Sequence, residues 1–375
     1  MGILWRALLL TLLLGGHAVA ATGVCHWPAW EQFQRDYIST EGRVIDPSTP
    51  SQITTSEGQS YGLFFALVAN DRAMFEKLLQ WTENNLAFGD LSAHLPAWQW
   101  GKKIPQADDS PWGVLDPNSA SDADVWIAYN LLEAGRLWKS RRFLTLGTLL
   151  LQRIAREEVA EIPGLGVMLL PGKVGFVHGD RWRLNPSYQP PQLLARFATL
   201  KGPWKAMRAV NLRLLKESAP HGFSPDWVVW SKQQGWQADE TKPNIGSYDA
   251  IRVYLWAAML AQESKERAAL VTHFQPMATL TAQSGMPPEQ VNTSTGKAQG
   301  TGSVGFSAAL LPLLAANPTA RDVQRQRLHD AATDNNAYFS ASLMLFGQGW
   351  DEQRYRFNQQ GELLPSWDKQ CVTSP

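Results

Sequence analysis

Two hydrophobic patterns alternate along this chain. In the first, apolar residues run on almost without a break, as in Tyr61-Gly-Leu-Phe-Phe-Ala-Leu-Val68 and Val125-Trp-Ile-Ala-Tyr-Asn-Leu-Leu132. A helix that is apolar all round has to be buried on most sides. In the second, apolar positions recur at helical spacing between charged ones, so that a single buried stripe suffices. Segments of the first kind begin near Glu57, Asp122, Gln189, Tyr248, Val304 and Tyr338, each behind a loop rich in Gly, Ser, Asn and Pro. Segments of the second kind cover residues 27–38, 71–86, 139–157, 203–218, 263–280 and 319–332. Six buried helices alternating with six half-exposed ones predict an inner ring inside an outer ring, an all-α (α/α)6 barrel. Strand signals are confined to short extended pieces in loops, at residues 223–230 and 166–177. No Pro- or Gly-rich linker divides the chain, and no solenoid-length sequence repeat is visible, so residues 22–375 read as one domain.

The start of the chain follows a different rule. Arg6 precedes an apolar run, Ala7 to Leu14, and then Gly15-Gly16-His17-Ala18-Val19-Ala20-Ala21 supplies small residues for cleavage. The run is too short for a permanent span, and residues 1–21 are expected to be a signal peptide. The protein is therefore expected to be periplasmic or secreted, with no permanent membrane span after cleavage. In an oxidising compartment the two cysteines, Cys25 and Cys371, are expected to pair as a disulfide.

Composition narrows the chemistry. With 34 Lys+Arg against 34 Asp+Glu the net charge is zero, which removes the basic footprint that binding a phosphate backbone requires. A nucleic-acid partner is not expected. The histidines are scattered and neither C-x-x-C nor H-E-x-x-H occurs, so no metal site and no cofactor are expected. Seventeen Trp among 375 residues is a large surplus of flat amphipathic rings. With no basic excess, that surplus points to sugars.

Three acids stand at equivalent places, at the head of a buried helix: Glu57, Asp122 and Asp249. Inner helices that run the same way gather their N-termini at one end of a barrel, where these carboxylates would face one another. Thr54-x-x-Glu57 and Ser121-x-x-Asp124 also fit capping boxes, and Asp124 is read as a cap. Glu57, however, shares a helical face with Tyr61, Phe64, Phe65 and Val68. Asp122 leads Val125, Trp126 and Tyr129, and Asp249 leads Arg252, Val253 and Trp256. An acid used only for capping has no need to head the buried stripe three times over.

The segment Ala120-Ser-Asp-Ala-Asp-Val-Trp-Ile-Ala-Tyr-Asn-Leu-Leu-Glu-Ala-Gly-Arg-Leu-Trp138 resembles the signature of glycoside hydrolase family 8, departing from it at Asn130, where a small residue is usual. Ser56-Glu-Gly-Gln-Ser-Tyr-Gly62, Asn185-Pro-Ser-Tyr188 and Tyr248-Asp-Ala-Ile-Arg252 are similar to further segments of the family, in the same order. The resemblance implies an (α/α)6 barrel and an endo-acting, inverting hydrolysis of β-1,4-glucan. By position it implies Glu57 as general acid and Asp249 as general base, with Asp122 holding the distorted sugar. Tyr188 then helps to hold the attacking water, and Arg252 stands beside the base. Within the family the likeness is greatest to periplasmic endo-β-1,4-glucanases that accompany bacterial cellulose synthase. That implies a β-1,4-glucan chain as substrate, the cellulose synthase export machinery as a partner, and trimming of nascent cellulose as the role.

Inverting hydrolysis needs one protonated carboxyl at the glycosidic oxygen and one ionised carboxylate across from it, with space for a water. Arg252 and the helix N-terminus suit Asp249 to the second task. The same dipole opposes a proton on Glu57, which must then be kept by desolvation and by repulsion from Asp122. Trp98, Trp100 and Trp182 lie in polar, Gly/Pro-containing loops, and Trp100 and Trp182 are read as sugar platforms, with Tyr338 as a further contact. The rival readings are a non-catalytic β-glucan-binding barrel, a lyase, for which a neutral chain lacks the basic cleft, or a related hydrolase of chitosan, mixed-linkage glucan or xylan.

Overall fold

A computed structural model describes residues 25–103, 111–331, 337–369 and 371. The expected signal peptide lies outside the described residues. The helices follow one another as outer and inner partners. Outer α1 (Pro28–Tyr37) precedes inner α2 (Ser56–Val68), α3 (Arg72–Leu86) precedes α4 (Ser121–Leu137), and α5 (Arg141–Glu157) precedes α6 (Pro191–Phe197). Then α7 (Trp204–Glu217) precedes α8 (Ala250–Met259), while α9 (Lys265–His273) and α10 (Gln275–Ser284) together precede α11 (Val304–Leu310). Last, α12 (Pro318–Asp330) precedes α13 (Tyr338–Asp351). The inner helices pack in the order α2, α4, α6, α8, α11, α13, and Phe346 of α13 closes the ring onto Tyr61 and Phe65 of α2, with ring centroids 4.9 and 4.7 Å apart.

The one outer segment expected over 263–280 is two helices. Pro276 falls in the first turn of α10, where its missing N–H is harmless, whereas in the middle of a longer helix it would break the hydrogen-bond ladder. Strands are more numerous than the expected pieces, because the loops at the open end of the ring fold into short hairpins of two to five residues. These include Gly166–Leu169, within one segment anticipated, and Val228–Ser231, which overlaps the end of the other. Such strands are too short for alternation to register in the sequence.

Tyr61, Trp126, Trp256 and Phe346 meet edge to face or tilted on the ring axis and fill it. Asn130, the departure from the family signature, is buried and donates from Nδ2 to the Ser60 carbonyl at 2.8 Å, joining α4 to α2. At the C-terminal end of α4 the barrel is shut by the hairpin of Tyr355–Phe357 and Leu363–Pro365. Tyr129 Oη donates to the Gly361 carbonyl at 2.8 Å, and Glu133 accepts from the Leu363 amide at 2.9 Å and from the Arg196 guanidinium at 2.6 Å. Cys25 and Cys371 are bonded, with Cα atoms 5.4 Å apart. Among the described residues no helix is long and apolar enough to cross a membrane.

Candidate active site

At the other end, the heads of α2, α4 and α8 converge on one guanidinium. Arg252, a turn into α8, donates through Nη2 to Asp249 Oδ1 at 2.6 Å and through Nη1 to Glu57 Oε2 and to Tyr61 Oη, the latter at 3.1 Å. Asp122 Oδ2 lies 3.5 Å from the same Nη1. Sequence alone set Arg252 beside Asp249. The fold makes it the bridge among all three acids.

Exposure separates the acids. The side chains of Glu57 and Asp249 are 20% and 22% exposed, against 5% for Asp122 and 3% for Arg252. Two carboxylates thus reach solvent, with a third buried behind them. Three acids around one buried cation cannot all ionise without strong repulsion. Burial, and then the charge of Glu57, push the Asp122 carboxyl up to about 7 against the pull of Arg252.

Local capping explains why these side chains point inward. Thr55, not Thr54, caps α2 by accepting the Gly58 amide at 3.0 Å, so the start of the helix differs from the alternative box of Thr54 with Glu57. Thr54 is occupied elsewhere, its hydroxyl donating to the Val44 carbonyl. Tyr338 opens α13 and presses its hydroxyl against Gly58, where an added Cβ would come within 2.7 Å of Oη and would have to push the phenol aside. Burial raises the Tyr338 hydroxyl, with the charge of Glu57 as the next cause, so the two are neighbours.

Asp124 is not a cap. The N-cap of α4 is Ala120, with no side-chain bond, and Asp124 is wholly buried against Glu158, itself held by the Ser119 hydroxyl at 2.5 Å. Desolvation comes first in raising both carboxyls, Glu158 to about 8 and Asp124 well above the usual range. The pair therefore shares at least one proton.

Tyr188 ends a short turn, Pro186–Tyr188, whose cap Asn185 accepts the Ser187 amide at 3.0 Å. Burial raises its hydroxyl, followed by the charges of Asp122 and Asp249, which puts it near both. The Arg252 guanidinium carbon lies 5.8 Å from the ring centres of both Tyr188 and Phe339. Phe339 was not anticipated, nor was Trp227, which meets Tyr188 at 5.7 Å and runs parallel to Phe176 at 6.0 Å. The only signal for Trp227 was its place in the extended segment 223–230.

Trp100 pairs across strands with Thr54, just ahead of Glu57. Its ring lies parallel to Trp112 at 5.6 Å, edge-on to Trp81 at 5.2 Å, with Arg43 at 4.5 Å. Trp182 stands in a different sheet from Trp100, a four-stranded one. It stands opposite Trp230 and packs on a small separate core with Ile162, Leu165 and Met168, while its neighbour Arg183, on the other face of the strand, lies 3.9 Å over Trp227.

The family described as glycosyl hydrolases family 8 matches residues 1–353. An endoglucanase of Escherichia coli O157:H7 is 57% identical over 374 residues, covering 100% of both chains. The crystal structure of an endo-1,4-D-glucanase from Vibrio fischeri ES114 superposes with a TM-score of 0.87 at 47% identity, covering 91% of this chain and 99% of that one. The endo-β-1,4-glucanase CMCax from Acetobacter xylinum gives 0.68 at 25% identity, over 85% of this chain and 95% of that one.

Proposed function

The chain belongs to the glycosyl hydrolases of family 8, and from that premise we propose that it cuts β-1,4-glucosidic bonds within glucan chains, with inversion at the anomeric carbon. Glu57 is the general acid and Asp249 the general base. The observation that carries this reading is the single guanidinium shared by their carboxylates, with Asp122 behind it. A guanidinium fork with a hydrogen bond on either side spans at most about 8 Å. Inverting enzymes hold their acid and base about 6.5–9.5 Å apart, with a water between base and sugar.

The roles follow from exposure and charge. Glu57 is open to the cleft and donates its proton to the leaving oxygen. Asp249 faces the same space and takes a proton from the attacking water, which the Tyr188 hydroxyl helps to orient. Asp122, recessed, accepts hydrogen bonds from the sugar at the cleavage point. Arg252 stays bonded to both carboxylates and offsets the negative charge that appears on Glu57 as Asp249 is neutralised by the proton it takes. Trp100, beside the head of α2, is a platform for a glucose ring farther along the chain. NMR of fresh digests of cello-oligosaccharides tests the reaction: the α-anomer as first product is expected, and an initial β-anomer or no cleavage would overturn it.

The finer setting is supported by the N-terminal pattern and by the bonded cysteines, which suit an oxidising compartment. Residues 1–21 act as a cleaved signal, residues 22–375 form one catalytic domain, and the enzyme works in the periplasm or outside the cell. There it trims nascent bacterial cellulose beside the synthase export machinery. Cell fractionation, with N-terminal sequencing of the recovered protein, tests the location.

A further inference from the structure

Asp249 occupies the N-cap position of α8, from which an aspartate ordinarily turns its carboxylate onto the free amides of the first turn. It makes no such bond, because its Oδ1 is taken by Arg252 at 2.6 Å. The Ile251 and Arg252 amides that such a carboxylate would take bond instead to the Ser247 and Asp249 carbonyls at 3.0 and 3.1 Å, and the amides just ahead of them are held from outside the helix. Oδ1 of Asp226, 23 residues before Asp249, accepts from the backbone N–H groups of Ser247 at 2.7 Å, Asp249 at 3.2 Å and Ala250 at 2.9 Å.

Asp226 is brought there by a close backbone approach. Its own amide donates to the Ile245 carbonyl at 2.7 Å, and Gly246 lies so near Ser224 that an added Cβ would stand 2.2 Å from the Ser224 carbonyl oxygen. The Ser224 amide donates to Tyr254 Oη on α8 at 2.9 Å. Segment 224–226 therefore grips α8 at two successive levels. Asp226 is 1% exposed, and its second oxygen faces Lys242 Nζ at 3.9 Å. Burial, then the charge of Asp249, push its carboxyl upward, which marks the two acids as close neighbours.

We propose that Asp226 is a positioning residue for the general base: by holding the Ser247, Asp249 and Ala250 amides at the head of α8, it fixes the backbone from which the Asp249 carboxylate reaches the reacting water. The proposal rests on Asp249 being the base. A base displaced by about 1 Å from its water can cost on the order of a hundredfold in rate, while the sugar contacts that set binding lie elsewhere.

The test is a cycle of Asp226→Ala, Asp249→Asn and their combination, with Asp226→Asn alongside, assayed on cello-oligosaccharides well below the melting temperature. Asp226→Ala is expected to lower kcat by roughly ten- to a hundredfold with KM changed less than about twofold. Asp226→Asn, which keeps an oxygen acceptor at the same place, is expected to restore most of kcat. In the Asp249→Asn background the alanine change is expected to cost nothing more, since no base remains to be positioned. Wild-type kcat in Asp226→Ala, an equal loss in both backgrounds, or a loss confined to KM would each overturn the proposal. If the alanine variant fails to fold, Asp226→Ser takes its place in the cycle. Full turnover in Asp249→Asn alone would instead remove the base assignment, and this proposal with it, an outcome separate from the others.

Discussion

Nη2 of Arg252 and Oδ1 of Asp249 are 2.6 Å apart across one turn of α8, while the other arm of the same guanidinium reaches Glu57. Arginine suits this place because its planar fork serves two carboxylates at once, which the point charge of lysine does not. Arg252→Lys is expected to lower kcat at least tenfold. Arg252→Ala, which leaves three carboxylates facing one another, should lose activity further and melt lower at pH 8 than at pH 5, where the acids can protonate. Activity of Arg252→Lys near wild type would show that the bridge is dispensable.

Glu57→Gln and Asp249→Asn keep shape and hydrogen-bonding capacity but neither releases nor takes a proton. Each is expected to fold normally and to lose roughly 10²–10⁴ in turnover. Retention of more than about a tenth of wild-type turnover on soluble β-1,4-glucan would remove that residue from its role.

The Asp124–Glu158 pair makes stability depend on pH. An unfolded glutamate titrates near 4.3, whereas Glu158 in the fold is raised to about 8. The native carboxyl thus stays protonated where the unfolded one has ionised, so this stabilisation is complete below about pH 4 and declines as pH rises to 8. Glu158→Gln, which still accepts the Ser119 hydroxyl, should raise the melting temperature relative to wild type at pH 8 and leave it little changed at pH 4.5. Parallel melting curves across that range would refute a shared proton.

Trp182 and Trp100 should separate by assay. Trp182→Ala opens the small core beside Trp230, and is expected to cost about 2 kcal/mol of stability and to affect short and long cello-oligosaccharides alike. Trp100→Ala should lower kcat/KM more for long chains than for short ones, because a platform away from the cleavage point helps only substrates that reach it. A deficit in Trp100→Ala that is the same at every chain length would reject the platform.

What sequence made legible was whatever short-range periodicity encodes. Glu57, Asp122 and Asp249 lead buried stripes, and the fold gathers them because helices apolar all round can only stand inside a ring. Interactions fixed by tertiary contact were hidden. Asp124 satisfies a local capping rule, yet Glu158, on the far side of α5, decides its environment. Asp226 holds the amides at the head of a helix it does not belong to. Trp182 and Arg183 are adjacent in sequence, but strand geometry sends one to a core and the other to the ring of Trp227.

The bond between Cys25 and Cys371 makes everything between them a covalent circle. One cut in a linear protein gives two fragments, whereas one cut in a circle gives a single chain with new ends. A protease nick in a surface loop between an outer and an inner helix should therefore leave this molecule in one piece on a non-reducing gel and in two after reduction. The order of helices around the ring has no obligatory beginning. With a short peptide joining the old ends in place of the bridge, termini opened in another outer loop should give a permuted chain that closes the same barrel.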